Sequence, residues 1–159
     1  MTHKKRFLKI LYKSGMSANL IRLTGDQCPC MVFEDPDVPS YSPEWHRLNP
    51  TAENCNRTGL INTVETTIAI KSIFYSVALK VQSLNLEKEI LDKIGEWQKD
   101  DLLMYGCVKV ADMSEIDLRT LNENVDKIQY DGKLYIPRHT LDVATNEIIG
   151  SLCLIKRIQ

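Results

Sequence analysis

The chain has little that would mark it as a membrane, secreted or nucleic-acid-binding protein. No apolar stretch approaches the roughly 20 residues that a membrane-spanning helix requires. Its 20 Lys and Arg residues are balanced by 21 acidic residues, so it lacks the basic excess usual in nucleic-acid-binding proteins. The basic N-terminal segment is a poor secretory signal, because Lys9 interrupts its apolar run. We therefore expect synthesis in a reducing cytoplasm.

The familiar catalytic and phosphate-binding motifs are absent as well. There is no glycine-rich phosphate loop. A zinc deaminase needs His-x-Glu and Pro-Cys-x-x-Cys, and of these only Pro29-Cys30 is present. A thiol hydrolase would need a thiol activated beside His46 or His139, and nothing in the local sequence favours one. We therefore predict that the protein is not an enzyme and has no catalytic residues.

What the chain does contain is a concentration of metal-binding side chains. Cys28, Cys30, His46 and Cys55 lie within 28 consecutive residues. Five cysteines is an odd number, and without a secretory signal it favours metal binding and free thiols over a disulfide framework. Three thiolates and one imidazole are a closed ligand set for a tetrahedral zinc ion, whose sulfur ligands lie roughly 3.8 Å apart. We therefore predict a structural zinc site at these four residues.

The expected geometry of the site follows from the spacing of its ligands. In an extended Cys-x-Cys both side chains leave the same face of the chain, and Pro29 restricts the backbone between them. Cys55 would return across the loop before a turn at residues 57–59, and His46 lies in the loop that closes over the site. Two alternatives stay open. Cys28 and Cys30 are buried apolar residues with His46 in solvent, or the loop persists without its ion.

Hydrophobic patterning predicts a mainly β protein. Apolar residues at 7, 10 and 11 indicate a short helix over 3–14, ended by Gly15. Residues 34–54 carry four prolines and no periodicity, which predicts a long loop. Residues 77–95 are ambiguous between strand and helix. The predicted strands cover residues 18–23 (turned at Gly25-Asp26), 61–76 (one long strand, or two joined by a bend), 102–110 (with a bulge at Gly106), 127–130, 133–136 (ended by Pro137) and 150–158.

Several short strands joined by turns predict a small antiparallel β-barrel or sandwich. Its clearest local signal is Asp131-Gly132, the preferred type I′ hairpin turn between two alternating strands. We predict one domain over 1–159. It comprises an N-terminal helix and strand at 1–25, a Cys/His loop insert at 26–60 and a β-barrel body at 61–159. Cys107 and Cys153 fall in predicted strands and are expected to be core thiols.

The order of these parts resembles the head-closure proteins of tailed bacteriophages, also called stopper, neck or head-completion proteins. The resemblance lies in three stretches. The first is the helix and strand leading to the segment Thr24 to Cys30, and the second is Cys55 to Leu60. The third runs from Gly95 to the end and contains the hairpin around Asp131-Gly132. The chain departs from the family where a second Cys-x-x-Cys is reduced to Cys55, which places more weight on His46 as a ligand.

The resemblance implies a virion structural protein of the phage neck, made in the host cytoplasm. Such a protein forms a homo-oligomeric, hexameric ring between a portal or adaptor protein and a tail-terminator protein. It joins head to tail and helps to retain packaged DNA, with passive contact to the DNA in the channel and no membrane partner. The net charge of −1 suits a channel that binds the DNA inside it only weakly, because the affinity for DNA increases with the number of phosphates that a protein neutralises.

Two other functions fit the sequence. One is a zinc-knuckle module that binds nucleic acid or protein. However, residues 26–44 carry five acidic residues and no Lys or Arg, which argues against DNA contact there. The other is a different structural role in the phage tail or baseplate, where small β-barrels recur.

Overall fold

A computed structural model gives the fold and describes residues 3–35, 38–77, 98–144 and 149–158. Beyond Val77, the ambiguous segment 77–95 lies outside these residues. Within the described residues the elements are α1 (His3–Ser14), β1 (Met16–Gln27), β2 (Met31–Asp35), β3 (Val38–Tyr41), α2 (Pro43–Leu48), β4 (Leu60–Ser76), β5 (Leu102–Lys109), a 3₁₀ helix (Leu118–Thr120), β6 (Lys127–Tyr130), β7 (Lys133–Ala144) and β8 (Ile149–Arg157).

The chain divides into two compact units. One combines Met1–Ile21 with Thr67–Gln159 and is called here the barrel unit; the other is Arg22–Thr66, called here the Cys/His unit. The division falls within β1 and within β4, so each of these strands contributes residues to both units. The assignment of residues 1–159 to one domain with an insert at 26–60 stays a prediction.

Six strands form a closed antiparallel barrel in the order β1-β4-β5-β8-β7-β6. The predicted fold class is therefore confirmed: a mainly β protein with a short N-terminal helix and a Cys/His cluster in a loop. The buried side chains of the barrel core come from β1, β4, β5, β6, β7, β8 and the segment before β6. They include Leu20, Ile70, Phe74, Met104, Ile116, Leu118, Ile128, Tyr135 and Ile155.

Helix α1 confirms the predicted helix and its end before Gly15, whose N–H donates to the carbonyl of Leu11 at 2.8 Å. Leu11 is fully buried, and the ring of Phe7 packs 5.2 Å from that of Tyr105. The prediction that Ile10 shares this apolar face is wrong, because Ile10 is 52% exposed. It lies about 100° around the helix from Leu11 and therefore turns away from the barrel.

The bulge predicted at Gly106 is confirmed. Ser72 pairs with Cys107 and Ile73 with Tyr105, so Gly106 is the extra residue in β5. Its φ of 62° is in the left-handed region that favours glycine. A Cβ at this position would lie 3.0 Å from Phe7 and 3.1 Å from Leu11, so the bulge also makes room for α1.

The hairpin between β6 and β7 is confirmed, since Asp131 and Gly132 have φ values of 50° and 71°, as a type I′ turn requires. The prediction that Pro137 ends the second strand is wrong, because β7 continues to Ala144. The register with β8 shifts between Pro137 and Thr140. Such an irregularity accommodates a residue that has no N–H to donate to the ladder.

Two predictions for residues 22–66 are also wrong. Strand β1 does not turn at Gly25-Asp26 but runs on to Gln27. Gly25 instead allows a close approach to β4, because a Cβ there would lie 2.5 Å from the carbonyl oxygen of Ile61. The segment 34–54 is not a featureless loop, since β2 and β3 pair as a hairpin and α2 follows.

Candidate metal centre

Cys28 and Cys30 flank a tight turn between β1 and β2. The N–H of Met31 donates to the carbonyl of Cys28 at 3.0 Å, and the N–H of Cys28 donates to the carbonyl of Gly59 at 2.8 Å. The N–H of Ser42 donates to the carbonyl of Cys30 at 2.9 Å. The expectation of an extended Cys-x-Cys is therefore wrong. Pro29 suits the second position of a turn, where its fixed φ is preset.

Cys55 precedes a turn of unusual backbone geometry, which confirms the turn predicted at 57–59. Asn56 and Arg57 have φ values of 49° and 66°, and Gly59 follows at 75°. The turn is closed by the N–H and hydroxyl of Thr58, which donate to the carbonyl of Cys55 at 2.8 and 2.6 Å. A side chain at residue 59 would lie 2.9 Å from the sulfur of Met31, so glycine also lets the two loops meet.

His46 is positioned by α2. The hydroxyl oxygen of Ser42 accepts from the N–H of Trp45 at 3.4 Å, and proline follows at the first helical position. The side chain of Asn49 closes the other end by donating to the carbonyl of Trp45 at 2.8 Å. The indole of Trp45 stands perpendicular to the imidazole of His46, with 5.1 Å between the ring centroids. The ring of Tyr41 stacks on the same imidazole, with 6.0 Å between the centroids. A short helix of six residues, capped at both ends, thus orients the imidazole.

The ligand atoms of all four predicted residues converge. The Nε2 of His46 lies 3.5 Å from the Sγ of Cys28 and 3.5 Å from the Sγ of Cys55. The Sγ atoms of Cys30 and Cys55 are also 3.5 Å apart, and all four ligand atoms lie within 4.8 Å of one another. The alternative with His46 pointing into solvent is wrong, and the four residues could bind a metal ion.

The cluster is buried and apolar apart from its ligand atoms. Cys28, Cys30 and Cys55 are 1%, 0% and 2% exposed, and all three thiols are free. Sulfur atoms 3.5 Å apart are well beyond the about 2.05 Å of a disulfide bond. The partly buried side chains that pack around the thiols are those of Met31, Tyr41, Trp45 and Ile61.

The pKa values of the Cys30 and Cys55 thiols are shifted in opposite directions. Burial raises the pKa of Cys30 to about 12, and hydrogen bonds with Cys28 and Cys55 add to this effect. Burial would also raise the pKa of Cys55, but hydrogen bonds from His46 and from the backbone N–H groups of Gly59 and Arg57 outweigh it and lower that pKa to about 7. Backbone amides that stabilise a thiolate are typical partners of metal ligands.

The donor set fits zinc better than a hard cation, because three thiolates and an imidazole are ligands that zinc prefers over magnesium or calcium. The 3.5 Å between the sulfur atoms of Cys30 and Cys55 is close to the roughly 3.8 Å between sulfur ligands of a tetrahedral zinc ion. With four protein ligands no coordination position is left for a substrate, which is the arrangement of structural rather than catalytic sites.

Sequence reasoning missed several residues that support this centre. The backbone amides of Arg57 and Gly59 carry no side-chain signal, although Asn and Gly close to a cysteine are typical of left-handed turns. The contact of Tyr41 with His46 had no signal in the sequence at all.

The remaining two cysteines are not among the four residues of the centre. Cys107 in β5 and Cys153 in β8 are 1% and 0% exposed and belong to the barrel core, as predicted. Burial raises the pKa of the Cys153 thiol. Among the described residues, no helix has the length and hydropathy needed to span a membrane.

No family model, curated protein or solved structure matches the chain. The resemblance to head-closure proteins therefore stays a prediction from the sequence.

Proposed function

We propose that the protein is a non-enzymatic structural protein in which a zinc ion, held by Cys28, Cys30, His46 and Cys55, stabilises the Cys/His unit. The observation that carries this proposal is the convergence of four ligand atoms within 4.8 Å. Among the described side chains of residues 22–66, the buried apolar ones are the three cysteines themselves. Because a structural metal site forms only in the folded state, the free energy of metal binding would add directly to the folding free energy of this unit.

We further propose that the protein acts in the neck of a tailed bacteriophage, as a head-completion or stopper subunit. This assignment is supported by the sequence resemblance and by agreement between the small antiparallel barrel and the architecture that the resemblance implies. The subunits would form a ring that joins the portal or adaptor protein to the tail and helps to retain packaged DNA. Exposed Asp26, Glu44 and Glu53 do not favour the alternative of a zinc knuckle that binds DNA.

The metal is tested by elemental analysis of the purified full chain. We expect one zinc per chain and a lower melting temperature after treatment with a chelator. Protein purified from zinc-supplemented medium without bound metal would overturn the zinc proposal and support the alternative of a loop that persists without its ion.

The location is tested separately, with a gold-labelled antibody raised against the chain and applied to virions of the phage that encodes it. Label at the junction of head and tail is the expected result. Label along the tail or at the baseplate would favour a different virion role, and intact or disrupted virions without label would overturn a structural role in the particle.

A further inference from the structure

Helix α1 has two chemically different faces. One face packs on β5 through Leu11 and Phe7, next to the bulge at Gly106. The side chains turned away from this contact are exposed, and all but one of them are cationic. The outward face consists of Lys5, Arg6, Lys9, Ile10 and Lys13.

This cationic face makes α1 less stable than a helix with mixed charges. The helix contains five Lys and Arg residues and no acidic residue. Its first turn therefore lacks the negative charge that would interact favourably with the helix dipole. Lys5, Lys9 and Lys13 follow one another at a spacing of four, which places like charges side by side. Within the described part of the chain, Lys4 alone among these cations pairs with a carboxylate, that of Glu115 at 2.6 Å. An acidic surface against the outward face would offset this repulsion.

The Cys/His unit has the opposite charge. Residues 22–66 contain seven acidic residues against three basic ones, a net charge of −4. Zinc bound by three thiolates and a neutral histidine would make this charge more negative by one. Exposed Glu65 contributes to the negative surface, and so does exposed Glu44, although Arg47 on the same helix forms an ion pair with it. The same unit exposes two large apolar side chains, Leu48 at 65% and Val64 at 62%.

We propose that the outward face of α1 docks on the acidic surface of the Cys/His unit in a second copy of the chain. Ile10, 52% exposed beside Arg6 and Lys13 at the edge of the cationic face, would supply an apolar contact for Leu48 or Val64 next to the paired charges. Two different surfaces meet in such a contact, so it repeats from copy to copy and closes into a ring when the rotation permits. This inference rests on the homo-oligomeric ring of the proposed function and identifies the surfaces through which neighbouring subunits of that ring bind each other.

A second copy fits these observations better than DNA does. The chain as a whole carries a net charge of −1, so its cations on α1 are matched by acids elsewhere on the same chain. An exposed isoleucine beside the cations contributes nothing to phosphate binding, whereas protein interfaces combine apolar contacts with charged ones.

The test is sedimentation of the full-length, zinc-loaded protein at about 0.1 M and about 1 M NaCl, where the Debye length falls from about 10 Å to about 3 Å. We expect association at low salt that weakens at high salt. The double variant Lys9→Glu/Lys13→Glu should weaken it at least tenfold. The matched control Lys127→Glu/Lys133→Glu, with the same change of charge at two exposed lysines around the β6–β7 hairpin, should leave it unchanged.

Charge exchange identifies the partner surface. Glu44→Lys/Glu65→Lys should also fail to associate, with its zinc content measured to verify the fold. An equimolar mixture of this variant with Lys9→Glu/Lys13→Glu should recover association, because each supplies the complement of the other's reversed charges.

Three results would overturn the inference. Wild-type chains that stay monomeric at all concentrations would contradict the ring itself, without affecting the zinc proposal. Association that resists Lys9→Glu/Lys13→Glu would contradict only the role of α1. Mixed variants that stay apart, together with salt-dependent binding of wild-type protein to duplex DNA that Lys9→Glu/Lys13→Glu abolishes, would assign the face to a nucleic acid instead.

Discussion

The sulfur atoms of Cys30 and Cys55 lie 3.5 Å apart although 25 residues separate them in the chain. If both thiols ionised there, in a site that excludes water, their negative charges would repel strongly. A divalent cation between them converts this repulsion into attraction. A metal bound at this position would therefore link the folding of the Cys/His unit to its own binding.

Replacing Cys55 by serine should abolish stoichiometric zinc binding. Changes in the partners of metal ligands already weaken affinity by about 10- to 100-fold, so loss of a ligand should cost at least about a hundredfold. Titration with a competing chelator measures the affinity, and calorimetry should show a lower melting temperature. Cys153→Ala is the control, since it removes a buried thiol of the barrel core. It should lower stability but leave the zinc content at one per chain; equal zinc loss in both variants would contradict the site.

Replacing His46 by cysteine should preserve metal binding, because four thiolates also form a closed tetrahedral zinc site. Cobalt substituted for zinc reports the ligand set, since each thiolate adds to the charge-transfer absorption. We expect this absorption to be stronger in His46→Cys than in the wild type. His46→Ala should bind cobalt more weakly than either protein. Identical cobalt spectra for wild type and His46→Cys would mean that residue 46 is not a ligand.

Alanine substitutions at Gly106 and Gly132 distinguish the cost of backbone strain from the cost of steric crowding. Both have positive φ, but a Cβ at Gly106 would press on Phe7 and Leu11 whereas nothing lies within 4 Å at Gly132. Gly132→Ala should lower the free energy of unfolding by about 1 kcal/mol, the cost of a left-handed alanine. Gly106→Ala should lower it by about 2 kcal/mol, because α1 must also shift. Urea denaturation measures both; equal losses would mean that α1 accommodates the methyl group freely.

Asp117 should stabilise the protein through its charge. Hydrogen bonds from the side chain and then the backbone of Arg119 lower the pKa of Asp117 to about 2. Since the carboxyl is harder to protonate in the folded state, its contribution is complete above its unfolded pKa of about 3.9 and is lost as the pH falls through about 2. Asp117→Asn keeps an oxygen that can cap the 3₁₀ helix but removes the charge.

We therefore expect Asp117→Asn to melt at a lower temperature than the wild type at pH 5 to 7, and we expect most of this difference to have disappeared at pH 2. Acid also protonates the metal ligands, but this affects both proteins equally and does not alter the difference between them. A difference in melting temperature that persists unchanged at pH 2 would contradict this account.

Local signals predicted much of the barrel. The alternation in residues 61–76 predicted one long strand or two joined by a bend, and the structure has the single strand β4. Asp131-Gly132 predicted the hairpin between β6 and β7, because period-two patterns and left-handed turns depend on neighbouring residues. The same reasoning failed at Gly25 and Pro137. Gly25 allows contact with Ile61, and Pro137 lies beside a register shift with β8, and neither partner is near in sequence.

The sequence by itself determined the ligands of the candidate site, because Cys28, Cys30, His46 and Cys55 are the residue types that zinc selects. It also determined that α1 ends before Gly15 and that β5 has a bulge at Gly106. The tertiary structure alone decided that the four ligand atoms meet within 4.8 Å and that Tyr41 orients the imidazole. It also decided that Ile10 turns outward among the lysines. Convergence of distant side chains depends on how β2, β3 and α2 pack, and packing is a property of surfaces that only the folded chain brings together.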